Sequence, residues 1–452
     1  MGALALAGAM LAPPPARADA IVPAPTTLPQ TLSMTEAIRI FRASGLDLLI
    51  ADASTRSAEG AVKIAGAVPN PTFSASVGNA FTYSTGNGTT DCAGATCSPW
   101  SYSFGLTDSS AIVDALSGKR TLRLKAARNA LAAAKMSRSD AERTLALQVK
   151  TAYAQVAQAE LALKFAKEIA ASNATTLKKT QERYTAGAIQ EGELMRVETQ
   201  KLESDQAADT AQNTLDDARY ALAFLLGVRG RVNAFDVDTS ALDYVVPAPL
   251  RAATATSLLR AAFDHRPDLV GLGYQRAAAE AQIALAKRQR FPNIELGVTY
   301  SGGGFGGIGT NAPIQTPTIT FGLTMPLPIF YWQGGEVRQA EAAYDTSSLQ
   351  QAKLTSQVVS DVSTAFSDFA TARRLVERME GPRRDGGGLL QSAKGAFETT
   401  AILYAKGSAN LTDYLDALRT YISTKVEYLG DLTNYWTSIY QLEAAVGMDL
   451  RR

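Results

Sequence analysis

Histidine is nearly missing from this chain, His265 being the sole example in 452 residues, and cysteine occurs only at Cys92 and Cys97. So small a set of soft ligands argues against a resident metal centre, and the Cys92 to Cys97 spacing matches zinc sites only weakly. A charge excess is missing too. The 44 Lys and Arg stand against 43 Asp and Glu, which leaves no basic surplus of the kind that holds nucleic acid. No run of 18 or more apolar residues follows the N-terminus, so a conventional membrane-spanning helix is not expected, and soluble, peripheral and barrel proteins remain. Neither proline nor glycine occurs from Lys119 to Tyr184. That tract, rich in Ala, Leu, Lys, Gln and Glu, reads as one helix of roughly 100 Å and needs bundle or coiled-coil partners.

What is present is present twice. Tyr184-Thr185-Ala186-Gly187 opens a tract ending at Leu225-Leu226-Gly227, and Tyr404-Ala405-Lys406-Gly407 opens one ending at Ala445-Val446-Gly447, offset by 220 residues at both ends. Val68-Pro69-Asn70 and Phe291-Pro292-Asn293 form a further pair at nearly that separation. Repetition on this scale implies a duplicated unit, not a short-period solenoid. A first repeat is expected over 21–227, with its helical hairpin at about 118–227, then a linker at 228–262 and a second repeat over 263–452 with its hairpin at about 336–447. Gly187 and Gly407 suit left-handed caps where each hairpin turns. Gly381-Pro382 and Gly386-Gly387-Gly388 interrupt only the second outgoing helix. The leucine and aromatic stripes of the return helices are read as packing seams.

Four segments alternate with period two instead. Phe73, Ala75, Val77, Phe81 and Tyr83 (about 72–84) oppose small and polar neighbours, as do Trp100, Tyr102, Phe104 and Leu106 (100–107). Ile294, Leu296, Val298 and Tyr300 (294–301), then Ile319, Phe321, Leu323 and Met325 (318–325), repeat the pattern. A soluble sheet with one face on a core is one reading. The other is a lipid-facing barrel, which the long loops at 85–99 and 302–316 favour. Four strands cannot close such a barrel, because single chains start at about eight, so an oligomer is required.

Residues 1–20 read as an export segment, with the apolar run Leu4 to Leu11 and small residues at Ala16, Ala18 and Ala20, although a positively charged leader is missing. In an exported protein Cys92 and Cys97 are expected to form one disulfide clipping a loop, with a free or metal-binding pair as the alternative. The turns carry acids. Glu191 and Glu193 follow Gly187, and Asp413 and Asp416, three apart and so on one helix side, follow Gly407. These acids either compensate helix dipoles or, around an axis shared by several chains, form a cation-favouring ring.

The Tyr-x-x-Gly pair with an acid nine residues after each tyrosine resembles the TolC-like outer-membrane efflux channels. So do the string Arg266-Pro267-Asp268-Leu269 and the run Ala284-Leu285-Ala286-Lys287-Arg288-Gln289-Arg290-Phe291-Pro292-Asn293. The resemblance spans about Ser33 to Gly447, and its last two elements look most similar to the heavy-metal (cobalt, zinc and cadmium) branch. It implies an outer-membrane β-barrel completed by oligomerisation, joined to a long periplasmic α-helical barrel. It further implies a homotrimer, a periplasmic adaptor, an inner-membrane pump of the resistance-nodulation-division type, no cofactor and no catalytic residue. The expected cargo is heavy-metal cations, with drugs or other small organic compounds as the alternative. By the same resemblance Tyr404, Glu193, Asp413 and Asp416 are expected at the periplasmic aperture. Ala409 stands where the family often has an arginine, and Arg196, at the place equivalent to Asp416, is a candidate to pair with an acid across the tip. A periplasmic coiled-coil scaffold with a soluble sheet is the opposing reading.

Overall fold

Alternating short and apolar residues determine where the sheet lies. A computed structural model describes residues 27–79, 100–303, 317–381 and 387–451; the 1–20 segment and Cys92 and Cys97 lie outside them, as do Phe81 and Tyr83. The chain begins with β1 (Thr31–Leu32), α1 (Met34–Ser44) and α2 (Leu46–Gly66), then enters β2 (Thr72–Asn79) and β3 (Trp100–Thr107). The short α3 (Ala111–Leu116) leads into α4 (Lys119–Thr185) and its return helix α5 (Glu191–Leu225). After β4 (Asp236–Val237) and two single-turn 3-10 segments come α6 (Ala255–His265) and α7 (Pro267–Arg288). The second half continues with β5 (Glu295–Gly303), β6 (Thr318–Thr324), α8 (Gly334–Glu380), α9 (Leu389–Ala405) and α10 (Leu411–Val446).

The strands form one antiparallel sheet in the order β2, β3, β5, β6. Its register lines Phe73, Leu106, Val298 and Phe321 across one face, with Ala75, Phe104, Tyr300 and Ile319 in the next row. The other face carries Ser74, Gly105, Thr299 and Thr320, then Ser76, Ser103, Ser301 and Thr318. Among the described residues none covers the apolar side: Phe73 is 70% and Phe321 80% exposed. Among the described residues β2 and β6 pair on one side only, so the sheet ends in two open edges. An apolar face without a core and edges without partners are tolerable together when further copies close the sheet and lipid covers it. No helix of the described residues is long and apolar enough to cross a membrane.

The 67 residues of α4 form a single helix, about 100 Å at 1.5 Å per residue. The corresponding path in the second half is divided between α8 and α9, with Gly381 at φ +76° ending α8. α4 packs along α5, α7 and α2, and α10 along α8, α9 and α4. Away from the sheet two apolar clusters hold these helices together. The larger joins the middle of α4 (Val149, Tyr153, Val156) to α5, α8, α10 and α1, and takes in Leu32 of β1 and Val237 of β4, which pair in parallel. Tyr153, fully buried, ties this region down by donating to the Leu32 carbonyl at 2.8 Å and accepting from the Asp238 amide at 3.0 Å.

Buried charge also holds the midsection. Arg266, 3% exposed, donates to Asp268 at 2.6 Å and Asp361 at 3.0 Å, joining the start of α7 to α8. It also reaches the Ala445 carbonyl of α10. Pro267 is the first residue of α7, where its missing N–H costs nothing. Glu443, 4% exposed, meets Lys150 at 2.5 Å and Arg451 at 3.1 Å. Gly227, at φ +76°, passes so close to Ser44 that a Cβ would lie 2.1 Å from its carbonyl oxygen.

Candidate functional site

At the end of the molecule farthest along the hairpins, two turns share one backbone design. In the first, Ala186, Gly187 and Ala188 donate to the carbonyls of Glu182, Tyr184 and Arg183. In the second, Lys406, Gly407 and Ser408 donate to Ile402, Tyr404 and Leu403, which are the same positions shifted by 220. Gly187 (φ +68°) and Gly407 (φ +75°) take the left-handed conformation that lets the chain leave one helix and enter the next. Each return helix then begins on an extended residue, Gln190 or Asn410. Only Asn410 caps with its side chain, accepting from the Asp413 amide at 2.8 Å.

The tyrosines that precede these glycines part company. Tyr184 is 39% exposed and Tyr404 is 5% exposed. Tyr404 stacks on Tyr414 with centroids 5.1 Å apart and an interplanar angle of 18°, and the Arg183 guanidinium sits 5.5 Å from its ring centre. Its hydroxyl donates to Glu193 Oε1 at 3.2 Å, which bridges α9 to α5. Burial raises the Tyr404 phenol above its ordinary pKa, the Thr180 hydroxyl works against this, and the nearby Glu193 carboxylate adds to it. The smaller apolar cluster lies here, built from Phe165, Ile169, Val197, Tyr404, Tyr414 and Leu418 among others.

The remaining acids face outward. Asp413 and Asp416 are both exposed, and Asp416 has Arg419 4.0 Å away on the same helix. An exposed pair of that geometry contributes little to stability, which leaves Asp416 an available charge. Glu191 and Arg196 are also exposed, and Arg196 forms no ion pair with any described residue of its own chain. A single chain therefore joins Tyr404 to Glu193 and leaves Asp413, Asp416 and Arg196 on the surface.

Sequence reasoning missed the residues that seat the tyrosines. The Thr176 hydroxyl lies 3.3 Å from that of Tyr414, Thr180 is 1% exposed, and Phe397 stacks on Tyr421 at 5.4 Å. Thr176 and Thr180 are four apart, one helical turn, and with the buried Asn173 they place three short polar groups along the stripe of Phe165, Ile169 and Leu177, a signal that sequence does carry.

A family model described as "Outer membrane efflux protein" matches residues 38–228 and again residues 258–448. The second match is the first moved by 220 residues, the offset of the Tyr-x-x-Gly motif. The chain is 26% identical over 381 residues to the pyoverdine export outer membrane protein OpmQ of Pseudomonas aeruginosa, covering 83% of this chain and 76% of that one. It is 23% identical over 345 residues to the cobalt-zinc-cadmium resistance protein CzcC of Cupriavidus metallidurans, covering 74% of each. The solved structure of the outer-membrane channel OprN superposes with a TM-score of 0.72 at 19% identity, covering 93% of this chain and 91% of that one. The likeness thus reaches proteins of different stated cargo, and the heavy-metal branch is not singled out.

Proposed function

The chain belongs to the outer membrane efflux protein family, and from that premise we propose that it is a passive conduit for small organic compounds, working as a homotrimer. As a member of this TolC-like family it is an outer-membrane efflux channel with a long periplasmic portion, a carrier of solutes and not a catalyst. One observation carries the assembly: a sheet with an uncovered apolar face and two open edges, attached to helices that leave it from one end. Three copies supply twelve strands, above the minimum of about eight for a lipid-spanning barrel. The same three copies bring six helical hairpins around one axis. The turns at Gly187 and Gly407 then surround the periplasmic aperture, with Tyr404 and Glu193 holding neighbouring hairpins together and Asp413 and Asp416 facing the opening.

A conduit without an energy source needs one elsewhere. The proposed partners are a periplasmic adaptor and an inner-membrane pump of the resistance-nodulation-division type. The organic cargo is supported by the match to a pyoverdine exporter, which is longer and of slightly higher identity. The match to a cobalt-zinc-cadmium resistance protein supports metal cations as the second reading. Deleting the gene and growing the strain against organic antimicrobials, dyes and separate cobalt, zinc and cadmium salts distinguishes them. Hypersensitivity to organic compounds, restored by the gene, is expected; sensitivity confined to metal salts would replace this cargo with the second.

A further inference from the structure

Past the end of β6 at Thr324 the chain stays apolar. Ile319, Phe321 and Leu323 face out from the strand, and Met325, Leu327 and Ile329 continue the odd-numbered series beyond it, followed by Phe330, Tyr331 and Trp332. Phe330 is 98% exposed, with Ile329 and Trp332 also largely uncovered. The intervening Pro326 and Pro328 have no N–H to leave unpaired beside lipid. Behind this segment lies a cleft of about 570 Å³ whose lining includes Lys119, Arg123, Arg290, Leu327, Tyr331 and Glu336.

The charges of the cleft are unequally engaged. Arg123 is held by both oxygens of Asp114 at 3.0 and 2.6 Å. Glu336 accepts from the Tyr331 hydroxyl at 2.6 Å. Lys119, 5% exposed, spends two of its three protons on the Phe291 carbonyl (2.7 Å) and Asn293 Oδ1 (2.6 Å). Arg290 is exposed and forms no hydrogen bond or ion pair with any described residue. A guanidinium beside uncovered aromatics, continuous with a lipid-facing sheet and on its periplasmic side, is arranged for the boundary between acyl chains and water.

We propose that this cleft seats the headgroup of a phospholipid of the periplasm-facing leaflet, its phosphate at Arg290 and Lys119, with Leu327 to Trp332 lying in the headgroup layer. The site rests on the outer-membrane placement of the chain and not on its cargo. Full-length oligomer in mild detergent, titrated with phosphatidylglycerol or phosphatidylethanolamine and read by native mass spectrometry, tests it. Arg290→Glu and the milder Arg290→Gln are expected to weaken phospholipid binding about tenfold, as loss of a charged hydrogen bond does. Binding equal to that of the natural chain in an intact Arg290→Gln oligomer overturns the site. Displacement of the lipid by millimolar inorganic phosphate also overturns it, in favour of a free-anion site. Vesicle lipids brominated near the headgroup should quench a fluorescence component that Trp332→Phe removes. If Trp100 on the sheet is quenched and Trp332 is not, the proposal fails while the membrane placement stands; if neither is quenched, both fail.

Discussion

Tyr404, in the last turn of α9, donates its hydroxyl to Glu193, in the first turn of α5, so the outgoing helix of one hairpin is bonded to the return helix of the other. The contact runs between the two repeats. Any separation of the hairpins at this end must break it.

Tyr404→Phe removes that bond and keeps the ring stacked on Tyr414. The expected loss of stability is about 1 kcal/mol, the usual worth of one such bond. If the proposed aperture is gated here, openings in planar bilayers become more frequent. Opening statistics unchanged from the natural chain would separate this contact from gating.

Neutralising the outward acids should change ion preference and leave folding alone. Asp413→Asn is expected to lower the cation-to-anion permeability ratio more than Asp416→Asn, because Asp416 already has Arg419 beside it. The double variant should fall furthest. Reversal potentials in a salt gradient measure each, and an unmoved ratio in the double variant would assign both acids to the helix dipole.

Lys150 is the main support of a buried acid. Burial raises the Glu443 carboxyl above its ordinary 4.5, with Lys150 pulling it back down. The native state therefore holds this proton more tightly than the unfolded chain. Its contribution to stability is complete below the unfolded value and is lost as pH rises through the native one. Lys150→Met lifts the native value further, leaving Arg451 as the one remaining ion-pair partner of Glu443 among the described residues. The expected cost is about 3 kcal/mol at neutral pH, shrinking as pH falls through that raised value. Thermal melts of the detergent-solubilised protein at several pH values check both magnitude and sign, and a cost independent of pH would remove Glu443 from the account.

Two glycines of similar backbone should tolerate alanine very differently. Gly187→Ala meets only the left-handed backbone penalty, since no atom lies within 4 Å of the new methyl, and should cost about 1 to 2 kcal/mol. Gly227→Ala adds a clash with the Ser44 carbonyl, which brings overpacking of a further 1 to 3 kcal/mol or so. Equal melting temperatures for the two variants would contradict the close approach of α1 to this turn.

The parts of the molecule with a short repeat distance were legible in the sequence. Phe73, Ala75 and Val77 declare a face because a strand alternates, and the unbroken tract after Lys119 declares a helix because nothing in it stops one. That the apolar face has no core over it among the described residues did not follow from alternation, which fits a soluble sheet equally well. Contacts between distant positions left no such mark. Arg266 reads as a turn residue before a proline, yet it is buried against Asp361, 95 residues away. Tyr184 and Tyr404 carry the same motif and the same turn, and only the second is buried, since Tyr414 and Thr180 are gathered around it by the fold. Local identity fixed the backbone of the two turns, and neighbours from elsewhere fixed what each tyrosine does.

The sheet's other face has a consequence for traffic. With Thr72, Ser74, Ser76, Ser103, Gly105, Thr107, Gly297, Thr299, Thr320 and Gly322 turned away from lipid, that wall is laid with hydroxyls and bare backbone above Glu295, which opens β5 on the same face. Such short groups keep a film of water against the wall and offer a passing solute neither a deep well nor a protruding obstacle. In the proposed trimer this stretch offers a solute little to hold it, and control of passage falls to the proposed aperture at the far end of the helices.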